Sequence, residues 1–138
     1  VYGEVNLDNS LRLHANSFKS VVLINNSSNY ESIDLPYQAQ LSSINDIVVD
    51  DFNNDGKSDL LVVGNLFTSE VETPRNDASN GLILTGKGDG TFEVNSRTKT
   101  GFYAPSDAKK LQQIKLKNEE GLIVGNNNDL MQYFKRIE

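Results

Sequence analysis

Residues 47–64 read Ile-Val-Val-Asp-Asp-Phe-Asn-Asn-Asp-Gly-Lys-Ser-Asp-Leu-Leu-Val-Val-Gly, and this stretch decides the fold prediction. A polar segment, 51–59, separates two runs, 47–49 and 60–63, that contain only Ile, Leu and Val. Such runs favour β-strands, and a short segment rich in Asn, Asp and Gly between them favours a turn. The stretch therefore predicts a strand–loop–strand unit.

The loop 51–59 also carries oxygen-bearing residues at regular positions, in the pattern Asp-x-Asn-x-Asp-Gly-x-x-Asp. A hard dication such as Ca²⁺ prefers about six to eight oxygen ligands, which alternate residues of a tight loop can supply. Gly56 permits the turn that aims the next carbonyl inward. An EF-hand is disfavoured, because it requires a Glu at its twelfth position, where Val62 stands. The predicted ligands are the side chains of Asp51, Asn53, Asp55 and Asp59 and the backbone carbonyl of Lys57.

Two interpretations of this loop stay open: a calcium site, or a turn rich in Asp and Asn that holds no ion. The three carboxylates favour a dication over monovalent ions. The missing bidentate Glu predicts weak binding, with a Kd of about 10⁻⁴ to 10⁻³ M as in extracellular modules. Cytosolic calcium would not fill such a site, so the calcium interpretation favours an extracellular location.

Similar segments recur along the chain about 61 to 64 residues apart, which indicates tandem repeats. Val-Val-Gly-Asn at 62–65 resembles Ile-Val-Gly-Asn at 123–126, and Val-Leu-Ile at 22–24 resembles Ile-Leu-Thr at 83–85. Val1-Tyr2 resembles the pair that follows the first of these motifs. We predict a single domain made of a partial first repeat (1–43), a second repeat with the calcium loop (44–105) and a partial third repeat (106–138).

Apolar runs bounded by turn residues predict where the strands lie along the whole chain. The uniformly apolar runs 21–24 and 60–63 suit strands buried on both faces. Gly-Asp-Gly at 88–90 predicts a hairpin turn. The segment 105–114 also fits a helix capped by Ser106, but the repeat favours a strand there. The predicted strands are Lys19–Asn25, Asp46–Asp51, Ser58–Val63, Gly81–Thr85, Thr91–Asn95, Leu111–Lys117, Gly121–Val124 and Met131–Arg136.

Composition excludes several classes of protein. The net charge is -6 and the cations are scattered, so no nucleic-acid partner is expected. With no Cys, disulfides and thiolate metal sites are excluded. No apolar run is long enough to span a membrane, and no signal peptide is visible. Because the chain begins at Val1 rather than Met, we expect it to derive from a longer precursor or gene product.

The stretch 47–64 resembles the FG-GAP / VCBS repeat, and Gly-Lys-Gly-Asp-Gly-Thr-Phe at 86–92 resembles the glycine-rich turn and Phe that end such a repeat. The resemblance implies an all-β fold, a partial β-propeller built of tandem four-stranded antiparallel blades. It also implies bound Ca²⁺ at the ligands named above. The whole chain is similar to the C-terminal repeat region of bacterial secreted proteins that carry an adjoining ASPIC/UnbV domain.

The chain departs from the family pattern at three points. Asn53 stands where the family usually has Asp, which keeps the oxygen but loses a charge. The corresponding segment of the third repeat, 117–121, is shortened and lacks the pattern, so no ion is expected there. A propeller needs typically four or more blades, whereas this chain holds just over two repeats. We therefore expect either a piece of a longer protein or self-association through exposed blade faces.

The expected function is that of a calcium-binding, non-catalytic module for adhesion or ligand binding, located outside the cell, on its surface or in the periplasm. The ligand, a protein or a glycan, is unknown; loop 67–80 could contact it, unless Arg75 and Asp77 pair locally. The alternatives are part of a secreted carbohydrate-active enzyme (a glycosidase or lyase) and a purely structural spacer. An enzyme is disfavoured because the calcium interpretation occupies the dense acidic cluster, and His14 is the only histidine.

Overall fold

The structure, a computed structural model, describes residue 8 and residues 10–117 and 119–137. Within these residues a 3-10 helix covers Tyr37–Gln40 and a single α-helical turn covers Arg97–Thr100. Neither is long and apolar enough to cross a membrane. The strands are β1 (Val21–Asn25), β2 (Tyr30–Asp34), β3 (Ile44–Asp50), β4 (Asp59–Gly64), β5 (Leu82–Gly86), β6 (Phe92–Val94), β7 (Ala108–Leu116), β8 (Glu119–Asn126) and β9 (Gln132–Lys135).

The strands form three antiparallel sheets in which each strand pairs with its neighbour in sequence. The first sheet contains β1 and β2, the second contains β3 to β6, and the third contains β7 to β9. The prediction of an all-β fold is therefore confirmed. Within the described part of the chain, one sheet has the four strands predicted for a blade; the propeller arrangement stays a prediction.

The second sheet is the centre of the molecule because β4 is buried on both faces. Leu61 and Val63 pack against the third sheet, while Leu60 and Val62 pack against the first. This confirms the expectation for the run 60–63. The run 21–24 was expected to be buried in the same way, and this is wrong. Val22 packs against the second sheet, whereas the alternate residues of β1 face solvent, because the first sheet has a neighbour on one face only.

Two local predictions can be compared directly with the strands. The segment 105–114 does not form the alternative helix, because β7 begins at Ala108 and pairs with β8 over its whole length. Strand β2 was not predicted. Its sequence, Tyr-Glu-Ser-Ile-Asp, is mostly polar, and Ile33 is the one residue of the strand that is not exposed. The hairpin predicted at 88–90 is confirmed, since Gly86 pairs with Phe92 across it.

The second and third sheets share one geometric feature that agrees with a repeat. Their first strands, β3 and β7, each carry a bulge, between Ile44 and Asp46 and between Ala108 and Lys110. These bulges are 64 residues apart, the spacing that the sequence indicated between the two strands. Position 118 of the predicted third-repeat loop, and residues 1–7 and 9 of the first repeat, which include the Val1-Tyr2 match, lie outside the described residues.

Asn65, the last residue of the Val-Val-Gly-Asn motif, joins the second sheet to the segment that leads into the third. Its side chain is completely buried and its φ is 83°. The amide nitrogen donates to the carbonyls of Ser79 (2.8 Å) and Pro105 (3.0 Å), and the amide oxygen accepts from the Ser79 N–H (2.9 Å). Asn tolerates positive φ better than most residues and supplies both donors and an acceptor, which explains this residue at this place.

Candidate metal site

The candidate site is the loop between β3 and β4, as the sequence predicted. Strand β3 ends at Asp50 and β4 begins at Asp59. Within the loop, Asn54 and Gly56 have positive φ values of 59° and 80°. No atom lies within 4 Å of the position that a Cβ would take at Gly56, so backbone conformation rather than lack of space favours glycine there.

Three of the predicted ligands fold over the same turn. The Asp51 carboxylate accepts hydrogen bonds from the N–H groups of Asp55 (3.1 Å) and Gly56 (2.8 Å). The Asn53 side-chain oxygen accepts from the Asp55 N–H (2.9 Å), and the Asp55 carboxylate accepts from the Lys57 N–H (2.9 Å). These bonds set the loop conformation and draw the three side chains toward one stretch of backbone. All the predicted metal ligands are hard oxygen atoms, which Ca²⁺ prefers.

Asp59, the last predicted ligand, has a different environment. Its side chain is 1% exposed, and its two oxygens accept from the N–H groups of Phe52 (3.1 Å) and Gly86 (2.9 Å). Across the described residues, no group of three or more His, Cys, Asp or Glu side chains is arranged to hold one ion. The structure therefore brings Asp51, Asn53 and Asp55 together, while Asp59 bonds to backbone beneath them. Calcium binding by all five predicted residues stays a prediction.

The turn between β5 and β6 lies beside this loop. Asp59 bonds to Gly86 at its start, and the aliphatic part of the Lys57 side chain lies against Gly88, 3.4 Å from the position of a Cβ there. In the turn itself, Asp89 accepts from both the hydroxyl (2.6 Å) and the N–H (2.9 Å) of Thr91. These hydrogen bonds hold the pKa of Asp89 below its ordinary value. The two turns thus form one end of the second sheet.

Sequence reasoning missed a group that the structure places at the start of the loop. Arg136, which follows β9, donates to the Asp51 carbonyl (2.9 Å) and to the Asp50 carboxylate (3.2 Å). Its guanidinium carbon lies 5.8 Å from the centre of the Phe52 ring. From β7, Gln113 donates to the same Asp50 oxygen (2.7 Å). No local sequence signal could have found these partners, because Arg136 is 85 residues from Asp51.

The loop is at the rim of a cleft of about 1210 Å³ between the second and third sheets. Phe52 and Asn53 line it on one side, and Phe134 and Arg136 line it on the other. The rings of Phe102 and Phe134, which both line the cleft, pack with their centres 4.7 Å apart. The lining of the cleft therefore combines aromatic and charged side chains.

Loop 67–80, the expected ligand-contacting loop, is held by a local pair. Arg75 donates to Asp77 (2.7 Å) and its guanidinium carbon lies 4.6 Å from the centre of the Phe67 ring. The expectation of a local Arg75–Asp77 pair is therefore confirmed. A ligand-binding role for this loop stays a prediction. His14 is exposed, as was expected for a surface histidine.

Comparison of the chain with models of protein families, with curated proteins and with solved structures finds no match. No comparison therefore adds to the resemblance to FG-GAP / VCBS repeats, which comes from the loop residues and the glycine-rich turn of the sequence.

Proposed function

We propose that the chain is a calcium-stabilised, non-catalytic β-sheet module of an extracellular, cell-surface or periplasmic protein, used for adhesion or ligand binding. The observation that carries this proposal is the folding of Asp51, Asn53 and Asp55 over a single turn. Two carboxylates held in one small loop repel each other, and a bound dication offsets that repulsion. The Lys57 carbonyl and remaining lone pairs of Asp59 would complete the protein ligands.

The sheet topology supports a FG-GAP-like blade. The second sheet is a four-stranded meander in chain order, which is the construction of a propeller blade. Strands β3 and β7 run in the same direction. Asp46 bonds to Leu111, and further along both strands Asp50 bonds to Gln113. The first strands of successive sheets thus run side by side, as a radial array of blades requires.

The geometry favours a binding module over an enzyme. A glycosidase needs two carboxyl groups facing its substrate, about 5 to 9.5 Å apart. Asp59 is buried under two backbone amides, and Asp50 is held by Arg136 and Gln113. These carboxylates have structural partners instead. A protein or glycan ligand would contact the loops at this end of the second sheet or loop 67–80.

Thermal unfolding in EDTA and in about 10 mM CaCl₂ tests the metal. With a Kd of 10⁻⁴ to 10⁻³ M, the free energy of unfolding should rise by about 1.4 to 2.7 kcal/mol, because the ion binds only the folded chain. For a domain of this size the midpoint should increase by several degrees, about 3 to 15 °C. Asp55→Ala should abolish the increase.

Asp89→Ala is the matched control, because Asp89 forms a similar turn in the neighbouring hairpin but is not a predicted ligand. It should keep the calcium response. A wild-type midpoint that calcium leaves unchanged would refute the calcium proposal. A glycan array probed with the calcium-loaded protein then distinguishes a glycan-binding module from a spacer.

A further inference from the structure

We infer that Arg136 couples the candidate calcium loop to the third sheet, so that cation binding at the loop stabilises the packing of β9 against the second sheet. Arg136 acts as a positioning residue for Asp51. It contacts the backbone carbonyl of Asp51 and none of the atoms predicted to bind calcium. This inference depends on the proposed calcium site.

The main chain of Arg136 belongs to the third sheet, because its N–H donates to the Glu120 carbonyl of β8 (2.9 Å). The side chain crosses to the second sheet. There one nitrogen of the guanidinium bonds to the Asp50 carboxylate and the other bonds to the Asp51 carbonyl. The group thus contacts consecutive residues where β3 ends and the loop begins.

The chemistry of arginine makes this contact sensitive to loop geometry. Its donors are fixed in one plane, so both bonds form only when the two acceptors have a defined relative position. The Asp50 carboxylate is further fixed by Gln113 from β7, which leaves the Asp51 carbonyl as the acceptor that moves with the loop. A shift of Asp51 would break the bond to its carbonyl and leave the half-buried ion pair between Arg136 and Asp50 as the remaining contact.

Asp51 therefore links two interactions. Its carboxylate is the first predicted calcium ligand, and its carbonyl accepts from Arg136. A cation that fixes the Asp51 side chain also restricts its backbone, which lowers the entropic cost of the bond from Arg136. Such coupling is reciprocal, since packing of the third sheet must favour the cation by the same factor. Phe52, beneath the guanidinium, lines the cleft between the sheets, so this coupling acts at the loop end of that cleft.

Hydrogen–deuterium exchange of the full chain, with EDTA or CaCl₂ alone as the probe, tests the inference. In the wild type, calcium should slow exchange of the loop 51–59 and also of β9. In Arg136→Gln, calcium should still slow the loop but no longer β9. Lys135→Gln is the matched control, because Lys135 is the preceding residue and pairs with Glu119 inside its own sheet (2.6 Å). It should behave as the wild type.

A second variant separates geometry from charge. Arg136→Lys keeps the positive charge near the loop but replaces two donor nitrogens fixed in one plane with a single ammonium on a shorter side chain, so calcium affinity should fall about fivefold, at the low end of common couplings. Isothermal titration with CaCl₂ measures this, and it is informative even if Arg136→Gln folds poorly.

The outcomes distinguish the two proposals. Wild-type loop exchange that calcium leaves unchanged would refute the calcium site itself. A calcium-dependent loop with a calcium-independent β9 would refute only the coupling. Calcium-dependent protection of β9 that persists in Arg136→Gln, or unchanged affinity in Arg136→Lys, would overturn the role of Arg136.

Discussion

Asp59 is the residue at which the loop pattern and the structure diverge most. The pattern makes it a calcium ligand, whereas in the fold it joins two hairpins through the N–H groups of Phe52 and Gly86. Close approach of the hairpins also explains Gly86, since a Cβ there would collide with the Ser58 carbonyl. The sequence could not reveal this bond because Gly86 is 27 residues away. Asp59 therefore contributes to stability without any cation.

Replacing Asp59 with Ala should lower the free energy of unfolding by about 2 to 4 kcal/mol in EDTA. The reason is that the buried N–H of Gly86 and the half-buried N–H of Phe52 lose their acceptor; an unsatisfied buried donor costs about 1 to 3 kcal/mol, and a half-buried one costs less. Urea unfolding of the wild type and the variant, followed by circular dichroism, measures the difference.

Asp55→Ala provides the comparison for this prediction, because Asp55 is exposed and bonds within the loop. In EDTA it should cost less than about 1 kcal/mol. If the two variants lost equal stability under these conditions, the structural role of Asp59 would be disproved.

At the scale of elements, a strand could be predicted from the sequence where the fold buries its apolar residues. Strand β4 was predicted because both its faces are covered, which makes the run 60–63 within it entirely apolar. Strand β2 was missed because its backbone pairs with β1 while most of its side chains face solvent. Strand β7 was ambiguous, since Ala108, Leu111 and Ile114 fit a helical spacing, and the bulge near its start obscures the alternation of a strand.

The candidate site was predictable to a similar extent. Ligands within one loop could be identified, because their spacing along the chain fixes their geometry. Partners from other strands could not be identified, and Asp46 is an example. Its carboxylate accepts from the Leu111 N–H (2.8 Å) and from the Lys110 ammonium (2.8 Å), both on β7. Those partners follow only from packing of the second and third sheets.

Asp46 should make the contact between β3 and β7 sensitive to acid. Partial burial raises its pKa, but the hydrogen bonds from Leu111 and Lys110 outweigh this effect and hold the pKa below the ordinary value of 3.8. The stabilisation is thus complete above pH 3.8 and is lost as the pH falls through the lower pKa of the folded state. Asp46→Asn should cost about 1 to 2 kcal/mol at pH 7, and less as the pH falls below 3.8. Urea unfolding between pH 7 and pH 3 measures this difference.

Asp77→Asn is the control, because it removes an ion pair whose carboxylate is more exposed than that of Asp46. The Arg75–Asp77 pair is exposed, so its loss should change stability by less than about 1 kcal/mol at any of these pH values. A cost of Asp46→Asn that stayed constant down to pH 3 would contradict the proposed linkage.

At the scale of the whole molecule, the three sheets cover one another unequally. The first sheet, with two described strands, covers Leu60 and Val62 of β4 but leaves their cross-strand partners on β3 exposed. Those partners, Val49 and Ile47, are 59% and 44% exposed and lie on the same face of the strand. Neighbouring exposed apolar side chains on a sheet face favour association when a partner covers them. We predict that this uncovered part of β3 is where self-association, expected from the sequence, would take place.

Two copies that pack this face against itself would form a closed two-fold dimer. The double variant Ile47→Thr, Val49→Thr should weaken such a dimer about tenfold or more, because each substitution removes apolar area while keeping a β-branched side chain suited to a strand. Sedimentation velocity over a range of protein concentrations measures the change. Val71→Thr is the control, since Val71 is an isolated, fully exposed residue of loop 67–80, and it should associate as the wild type does. A wild-type sedimentation coefficient that stayed at the value of a monomer at every concentration would show that the face stays uncovered in the isolated chain.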